Sequence, residues 1–175
     1  YLFILILKMK FIIFSDLDGT FLNNDTYSFG SLRSYISKCK FKFELIFVSS
    51  KTYEEILIIQ DKLKINFPFI VENGACIFFP LDYFRHNKMD FKFTKYKNHL
   101  VFKLTKLNPS QLAKQLHFLK EKYDFSFYMD LTEKKISKIT KLRGIDVKLS
   151  KIRKFTNPIF WEDSPERKKD FRSEI

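Results

Sequence analysis

Cysteine is scarce in this chain, and no apolar run reaches the length of a membrane span. The two cysteines of the 175 residues, Cys39 and Cys76, form neither a metal-ligand spacing nor a disulfide framework. A spanning helix needs roughly 20 apolar residues, whereas the apolar start at residues 1–7 is soon interrupted by lysines. These absences argue against a membrane partner and favour a reducing, cytoplasmic compartment.

The amino terminus lacks two features of a signal peptide, a basic start and a cleavage site of small residues. The first residue is Tyr1, and a methionine follows at position 9. We expect Met9 to be the natural start, with residues 1–8 arising from upstream translation or from an added sequence. No internal repeat and no linker rich in Gly and Ser is present.

Negative charge is in short supply, since 20 Asp and Glu face 32 Lys and Arg and give a net charge of +12. A basic chain attracts phosphates through counterion release, which points to nucleic acid or acidic lipid. The lysines, however, are spread along the whole chain together with many Phe, Ile and Asn residues, as AT-rich coding produces. We therefore favour compositional bias and keep a basic nucleic-acid-binding protein as the less favoured alternative.

An acidic loop follows the first apolar run of strand length. The run at residues 9–14 is followed by Asp16 and Asp18, one residue apart, and then by Gly19 and Thr20. Glycine lets the backbone turn and approach a ligand closely. In open α/β sheets, ligands bind at the carboxyl ends of the strands. The sequence therefore predicts a buried strand that presents two carboxylates to a ligand.

Helices and strands then alternate up to residue 80. The predicted elements are a helix over residues 29–40, a strand over 43–48, a helix from Thr52, a strand over 67–71 and an apolar run over 77–80. Thr52 and Glu55 have the spacing of a capping box, and Ile56, Ile59 and Leu63 recur at helical spacing. The order indicates an α/β fold with a parallel sheet and right-handed crossovers.

Polar residues also follow the second and third predicted strands. Ser49 and Ser50 lie directly before a helix, whose free N–H groups and positive dipole end suit an anion. Asn73 and Gly74 lie in the turn after the third strand. Because parallel strands end at the same edge of a sheet, we expect these residues to converge with the acidic loop.

The texture of the sequence changes after residue 82. Strands are predicted over residues 91–96, 100–104 and 125–129, and a last apolar run covers residues 158–161. Helices are predicted to begin at Asn108, Thr132 and Asp146, and Gly144 is predicted to end the helix that begins at Thr132. Because strands and helices are segregated here, we expect an α+β module over residues 83–162 after a first domain over residues 9–82. Residues 163–175 form a polar, lysine-rich tail, which we interpret as the start of a return to the first domain.

Two carboxylates at one strand end can take different roles, because their environments separate their pKa values. One can act as an ionised nucleophile while the other, protonated, donates to a leaving group. Phosphoryl transfer suits such a pair, since an aspartate can attack phosphorus and water can hydrolyse the product. The phosphoryl oxygens then need Mg²⁺, backbone N–H groups and a hydroxyl, which Ser49 can supply. The alternatives are a solvated Asp-Gly turn and a plain helix cap at Ser49.

The string from Asp16 to Thr20 resembles the first motif of the haloacid dehalogenase (HAD) superfamily of Mg²⁺-dependent phosphatases. Ser49 falls where that superfamily has its second-motif Ser or Thr. Further strings are similar to the mannosyl-3-phosphoglycerate phosphatase branch, at residues 25–29, 49–52, 68–75 and 153–161. The resemblance implies a HAD-like Rossmannoid parallel sheet into which an α+β cap domain is inserted.

The resemblance also implies roles for individual residues. Asp16 would be the nucleophile, Asp18 the general acid and later the base, and Mg²⁺ would be held by the Asp16 carboxylate and the Asp18 backbone carbonyl. Ser49 would bind a phosphoryl oxygen. The remaining implied substrate-binding residues are Gly19 and Thr20 in the phosphate loop, Ser50, Lys51, Asn73 and Gly74 near the phosphate, and Arg153 on the cap. Arg153 suits a carboxylate or a sugar, and its alternative is a solvated charge.

The implied substrate is a small phosphorylated sugar acid, with mannosyl or glucosyl left open because cap contacts decide it. The family's second core half, with a lysine and further acidic residues, has no counterpart before Ile175. We therefore expect a truncated chain with weak or no activity and an unpaired sheet edge. The alternatives are a decayed fragment that binds phosphate without turnover and the nucleic-acid-binding protein.

Overall fold

The computed structural model describes residues 11–23, 28–39, 43–84 and 90–175. The described residues form two compact units. One contains the described residues up to Ser50 together with Ile56–Lys103, and the other contains Lys51–Glu55 and Leu104–Ile175. The predicted start at Met9 and part of the predicted turn at residues 23–28 lie outside the described residues.

A six-stranded sheet dominates the first unit. Its strands are β1 (Phe11–Ser15), β2 (Phe43–Val48), β3 (Phe69–Val71), β4 (Cys76–Pro80), β5 (Thr94–Tyr96) and β6 (His99–Lys103), in the order β1-β2-β3-β4-β6-β5. β1, β2 and β3 are parallel, as predicted, and the other pairs are antiparallel. The run at residues 77–80 thus returns as a hairpin partner of β3.

Two helices follow the predicted pattern, α1 (Leu32–Cys39) and α2 (Tyr53–Leu63). The predicted capping box is present, since the Thr52 N–H donates to Glu55 Oε2 at 2.8 Å and the Glu55 N–H donates to Thr52 Oγ1 at 3.4 Å. Ile56, Ile59 and Leu63 are buried at the predicted helical spacing. Local hydrogen bonding therefore fixes where α2 begins, three residues after the predicted site residue Ser50.

The prediction of a buried first strand is wrong for β1. Phe11, Ile12, Ile13 and Phe14 are all exposed, by 43% to 64% of their surface. Among the described strands β1 forms one edge of the sheet and pairs only with β2, so neighbouring strands flank it on one side only. Apolar composition identified the strand but could not reveal that it lies at an edge.

The predicted division at residue 82 lies inside the sheet. β6 pairs with β4 over five residues and β5 pairs with β6 over three, so both strands extend the first unit. The compact units divide after Lys103 instead. The lysine-rich alternation of β5 and β6 reflects exposure near the other edge of the same sheet.

The second unit contains α3 (Pro109–Leu116), β7 (Phe125–Phe127), α4 (Glu133–Thr140), α5 (Ile145–Ser150), β8 (Ile159–Trp161) and α6 (Arg167–Glu174). β7 and β8 form an antiparallel pair. Asn108 caps α3 with Pro109 in its first turn, and Thr132 caps α4, both as predicted. Lys141, with φ of 62°, ends α4, whereas Gly144 precedes α5.

The tail after residue 162 packs within this second unit. α6 places Phe171 in a buried cluster with Leu119, Tyr123, Phe125 and Phe127. A second cluster consists of Leu131, Ile136 and Val147. The predicted return of the tail to the first domain therefore has no counterpart here, because one phenylalanine anchors the otherwise polar helix. No helix in the described residues is long and apolar enough to cross a membrane.

Candidate active site

The acidic loop is a tight turn that closes on a buried leucine. The carbonyl of Leu17 accepts the backbone N–H groups of Phe21 at 3.0 Å and Leu22 at 2.7 Å. Gly19 has φ of 75°, a left-handed conformation that favours glycine. Leu17 is fully buried while Asp16 and Asp18 are exposed. The anchored leucine therefore fixes the loop and leaves both carboxylates accessible.

A second turn lies beside the end of β2. The Ser49 N–H donates to the carbonyl of Ile70 at 3.1 Å, and the Asn73 N–H donates to the carbonyl of Ser49 at 3.1 Å. Asn73 and Gly74 have φ of 62° and 87°, which turn the chain sharply after β3. These backbone hydrogen bonds hold the ends of β2 and β3 together and bring Asn73 to Ser49.

The acidic loop and this second turn share one cavity of about 330 Å³. Its lining residues are Asp16, Asp18, Val48, Ser49, Ser50 and Asn73. The predicted convergence of three strand ends is therefore seen for five predicted site residues. Ser49 is 4% exposed, whereas Asp16 and Asp18, which line the same cavity, are exposed.

The donor set in this cavity fits a hard cation. Mg²⁺ prefers oxygen ligands and is usually held by one or two carboxylates together with waters and substrate phosphate. Asp16 and Asp18 supply two carboxylates on the cavity wall. The described residues contain no group of three or more His, Cys, Asp or Glu side chains arranged for a metal. The cavity therefore offers part of a Mg²⁺ site rather than a complete cage.

The other predicted site residues do not line this cavity in the described structure. Gly19 and Thr20 continue the acidic loop, and Gly74 continues the turn from Asn73. Lys51 belongs to the second unit, where its Nζ lies 3.9 Å from Glu55 Oε1 and the side chain is 9% exposed. Lys51 is therefore paired with a buried carboxylate.

Arg153 lies in the second unit and is 8% exposed. Its Nε and Nη2 donate to Thr156 Oγ1 at 3.2 and 2.7 Å, and its guanidinium lies 5.9 Å from the centre of the Tyr128 ring. The alternative of a solvated surface charge is therefore wrong. Arg153 is a buried cation whose guanidinium is fixed by side chains of its own unit.

Two features near the cavity escaped the sequence interpretation. Val48 lines the cavity as the last residue of β2, and an apolar strand residue carries no signal of that role. Glu72 is 1% exposed with φ of 50°, although glutamate in a turn is normally solvated. Burial of a carboxylate next to Asn73 could have been suspected only from the unusual string of residues 71–75.

Comparison with known proteins agrees with this geometry. A profile of the haloacid dehalogenase-like hydrolases matches residues 13–159. A glucosyl-3-phosphoglycerate/mannosyl-3-phosphoglycerate phosphatase from Persephonella marina is 35% identical over 158 residues, which are 90% of this chain and 57% of the relative. A mannosyl-3-phosphoglycerate phosphatase from Pyrococcus furiosus is 34% identical over 150 residues, 85% of this chain and 60% of the relative. The chain thus spans little more than half the length of these relatives.

Solved structures show the same fold. A phosphatase of the HAD superfamily from Bacteroides thetaiotaomicron matches with a TM-score of 0.60 at 13% identity, over 96% of this chain and 61% of that protein. A Thermotoga maritima protein matches with a TM-score of 0.57 at 19% identity, over 95% and 61%. The resemblance drawn from the motifs is confirmed: the chain belongs to the haloacid dehalogenase-like hydrolases.

Proposed function

We propose that this chain carries the nucleophile and the general acid of a Mg²⁺-dependent phosphatase that acts on mannosyl-3-phosphoglycerate or a related glycosyl-3-phosphoglycerate. The observation that supports this most is the shared cavity of Asp16, Asp18, Ser49, Ser50 and Asn73. It combines two accessible carboxylates with the hydroxyl of Ser49, and such a set suits phosphoryl transfer.

In the first step, a carboxylate oxygen of Asp16 attacks phosphorus and forms an acyl phosphate while the bond to the ester oxygen breaks. Asp18, in its protonated form, gives its proton to that oxygen, so the sugar acid leaves as an alcohol. The Ser49 hydroxyl donates a hydrogen bond to a phosphoryl oxygen. Asp16 is suited to attack because the Leu17 anchor holds its loop in one conformation.

In the second step, Asp18 now acts as a base and takes a proton from water, which attacks phosphorus. The bond between phosphorus and Asp16 breaks, inorganic phosphate leaves and the Asp16 carboxylate is restored. The Asp16 carboxylate and the Asp18 backbone carbonyl would hold Mg²⁺, which offsets phosphoryl charge when bound. Ser50 and Asn73 line the same cavity and would contact the remaining phosphoryl oxygens.

The substrate class rests on the relatives, whose names specify mannosyl- and glucosyl-3-phosphoglycerate. In this proposal the first unit, which contains the sheet, carries the phosphoryl chemistry, and the second unit is the cap. Arg153, in that unit, would bind the glycerate carboxylate or the sugar. This requires the guanidinium, now bonded to Thr156, to share or exchange that contact.

We expect this 175-residue chain to turn over slowly or not at all. The described residues place two carboxylates but no lysine on the cavity wall, and phosphoryl transfer needs a cation to balance the developing charge. The alternative is a domain that binds phosphate without turnover. Mg²⁺-dependent phosphate release at an ordinary enzymatic rate, abolished by Asp16→Asn, would contradict the expected weakness while supporting the reaction.

Covalent labelling tests the reaction even when turnover is slow, since it needs only the first step. The chain is incubated with Mg²⁺ and substrate labelled in its phosphate, quenched in acid and digested. We expect hydroxylamine-sensitive label, as an acyl phosphate gives, on the peptide that contains Asp16. Asp16→Asn should carry none, whereas Asp18→Asn should still bind substrate.

Two results would refute the proposal. One is label that persists in Asp16→Asn, because the nucleophile would then lie elsewhere. The other is the absence of label although calorimetry shows Mg²⁺-dependent binding of substrate, because the chain would then bind without reacting. The second result would favour the phosphate-binding alternative.

A further inference from the structure

Glu55 and Thr52 form a buried polar pair in the second unit, and neither has a part in the proposed reaction. Thr52 is fully buried and Glu55 is 8% exposed. Glu55 Oε2 accepts the Thr52 N–H at 2.8 Å and lies 3.0 Å from Thr52 Oγ1. Thr52 Oγ1 also lies 3.1 Å from the backbone carbonyl of Leu149, in α5. One threonine hydroxyl therefore faces two oxygen atoms.

The hydroxyl has one proton and both neighbouring oxygens can accept it. The Leu149 carbonyl can only accept, so it cannot donate in return. If Glu55 is ionised, its carboxylate and the carbonyl compete for the same Thr52 proton. If Glu55 is protonated, its own O–H can donate to Thr52 Oγ1 while Thr52 donates to Leu149, so that both short contacts are hydrogen bonds.

We propose that the proton of Glu55 controls the hydrogen bond from Thr52 Oγ1 to the Leu149 carbonyl. This hydrogen bond, called the tie below, joins the start of α2 to α5. With the proton present, the donor chain runs from Glu55 to Thr52 to the Leu149 carbonyl. With the proton lost, the Thr52 hydroxyl turns to the carboxylate and the tie to α5 is released. Glu55 is thus a positioning residue for the turn that follows Ser49 and Ser50 along the chain, and it acts through Thr52.

The charged and titratable groups around Glu55 define the competition. Lys51 precedes α2 and lies 3.9 Å from Glu55 Oε1. Arg153, from the segment after α5, favours the ionised form, as Lys51 does, and the Thr52 hydrogen bonds act in the same direction. Burial opposes them and raises the pKa of Glu55 above its ordinary value of 4.5. The Tyr128 hydroxyl is hydrogen-bonded to Ser150 Oγ at 2.7 Å. Burial raises the pKa of Tyr128, and the Glu55 charge acts in the same direction.

An NMR titration of the full chain tests this tie directly. The Thr52 amide reports the charge of Glu55, because its N–H donates to that carboxylate. The Leu149 carbonyl carbon reports the tie to α5. We expect both signals to shift together in the wild type with one midpoint above pH 4.5. Glu55→Gln should abolish both shifts.

Variants at Thr52 separate the tie from the local charge. Thr52→Val keeps the backbone N–H and removes the hydroxyl, so the amide should still titrate while the Leu149 carbonyl should not. Thr52→Ser restores the hydroxyl and should restore the coupled shift. Asp146 and Lys148 on α5 are exposed, and any effect of theirs on Leu149 would persist in Thr52→Val.

Either of two results overturns the proposal. The first is a wild-type Leu149 carbonyl that stays constant while the Thr52 amide titrates. The second is a Leu149 shift that remains in Thr52→Val with the wild-type midpoint. The first result needs only the wild-type chain, so it decides the matter even if a Thr52 variant fails to fold.

Discussion

Phe171 should be the strongest single anchor of the carboxyl-terminal helix, and its truncation should strongly destabilise the second unit. Its side chain is 4% exposed in a helix that is otherwise polar. The ring centre lies 5.4 Å from Tyr123, 5.3 Å from Phe125 and 5.1 Å from Trp161. The rest of α6 is held mainly by exposed pairs such as Lys122 with Glu174, which contribute little.

The expected size of the effect follows from burial. Replacing a buried phenylalanine by alanine lowers the free energy of unfolding by about 3–5 kcal/mol, because transfer and cavity effects add. The ring contacts place Phe171→Ala in the upper part of that range. A domain of this size is stabilised by only about 4–11 kcal/mol. The variant should therefore lose a large share of the stability of its unit.

Urea unfolding followed by tryptophan fluorescence measures this loss. The chain has one tryptophan, and Trp161 lies in the second unit beside Phe171. With a denaturant slope of about 1–3 kcal/mol per molar, the midpoint should fall by at least about 1 M. Phe118→Ala is the matched control, because Phe118 is 63% exposed and its loss should change stability by less than about 0.5 kcal/mol.

Equal effects of the two substitutions would refute the reasoning. Such a result would mean that α6 does not cover the cluster of Tyr123, Phe125 and Trp161 in solution. A decrease of less than about 1 kcal/mol in the free energy of unfolding for Phe171→Ala would lead to the same conclusion, since removing a buried, packed phenylalanine costs about 3–5 kcal/mol.

Three further predictions concern single groups. Asn108→Ala removes the oxygen that accepts the Gln111 N–H, so the second unit should lose about 1 kcal/mol in urea unfolding, and Asn108→Asp should lose less. Burial raises the pKa of Cys76 to about 12. At pH 8 a chromogenic disulfide should therefore react quickly with Cys39 alone in the folded chain, and with Cys76 as well once the chain is unfolded. The folded chain holds a proton on Glu55 above pH 4.5 that the unfolded chain releases. Stability should therefore fall as pH rises through the raised pKa, and Glu55→Gln should flatten that part of the curve.

Features encoded within a few residues were predictable from the sequence. The caps at Thr52, Asn108 and Thr132 all formed as predicted, because a capping side chain bonds to a backbone group three positions away. β2 has the predicted bounds, Phe43–Val48. In each case the partner of the residue lies in the same short string, so spacing alone determines the contact.

The candidate site was predictable for a different reason. Asp16, Ser49 and Asn73 lie far apart in sequence, but each follows one of the three parallel strands of the sheet. The rule that parallel strands end at one edge converts three local patterns into one cavity. Lys51 does not line this cavity, because its side chain pairs with Glu55 instead.

The failures concern partners that local patterns do not specify. The apolar run of β1 was interpreted as buried, yet whether a strand is central or at an edge depends on which segments pair with it. In α6 a single phenylalanine among charged residues gave no periodic signal, although it is one of the most buried aromatic residues of its unit. The sheet continues through β6 because His99–Lys103 pairs with β4, a choice among several similar apolar strands.

Thr52 shows how a correct local prediction can still miss the chemistry of a residue. The capping box accounts for its contacts with Glu55, three residues away, and for the start of α2. Its contact with the Leu149 carbonyl spans 97 residues and follows from the packing of α5. In the proposal, that second acceptor favours a proton on Glu55, since the single hydroxyl proton of Thr52 cannot be donated fully to both oxygens. An ordinary helix cap therefore becomes a proton-sensitive contact only in the folded chain, where its third partner is present.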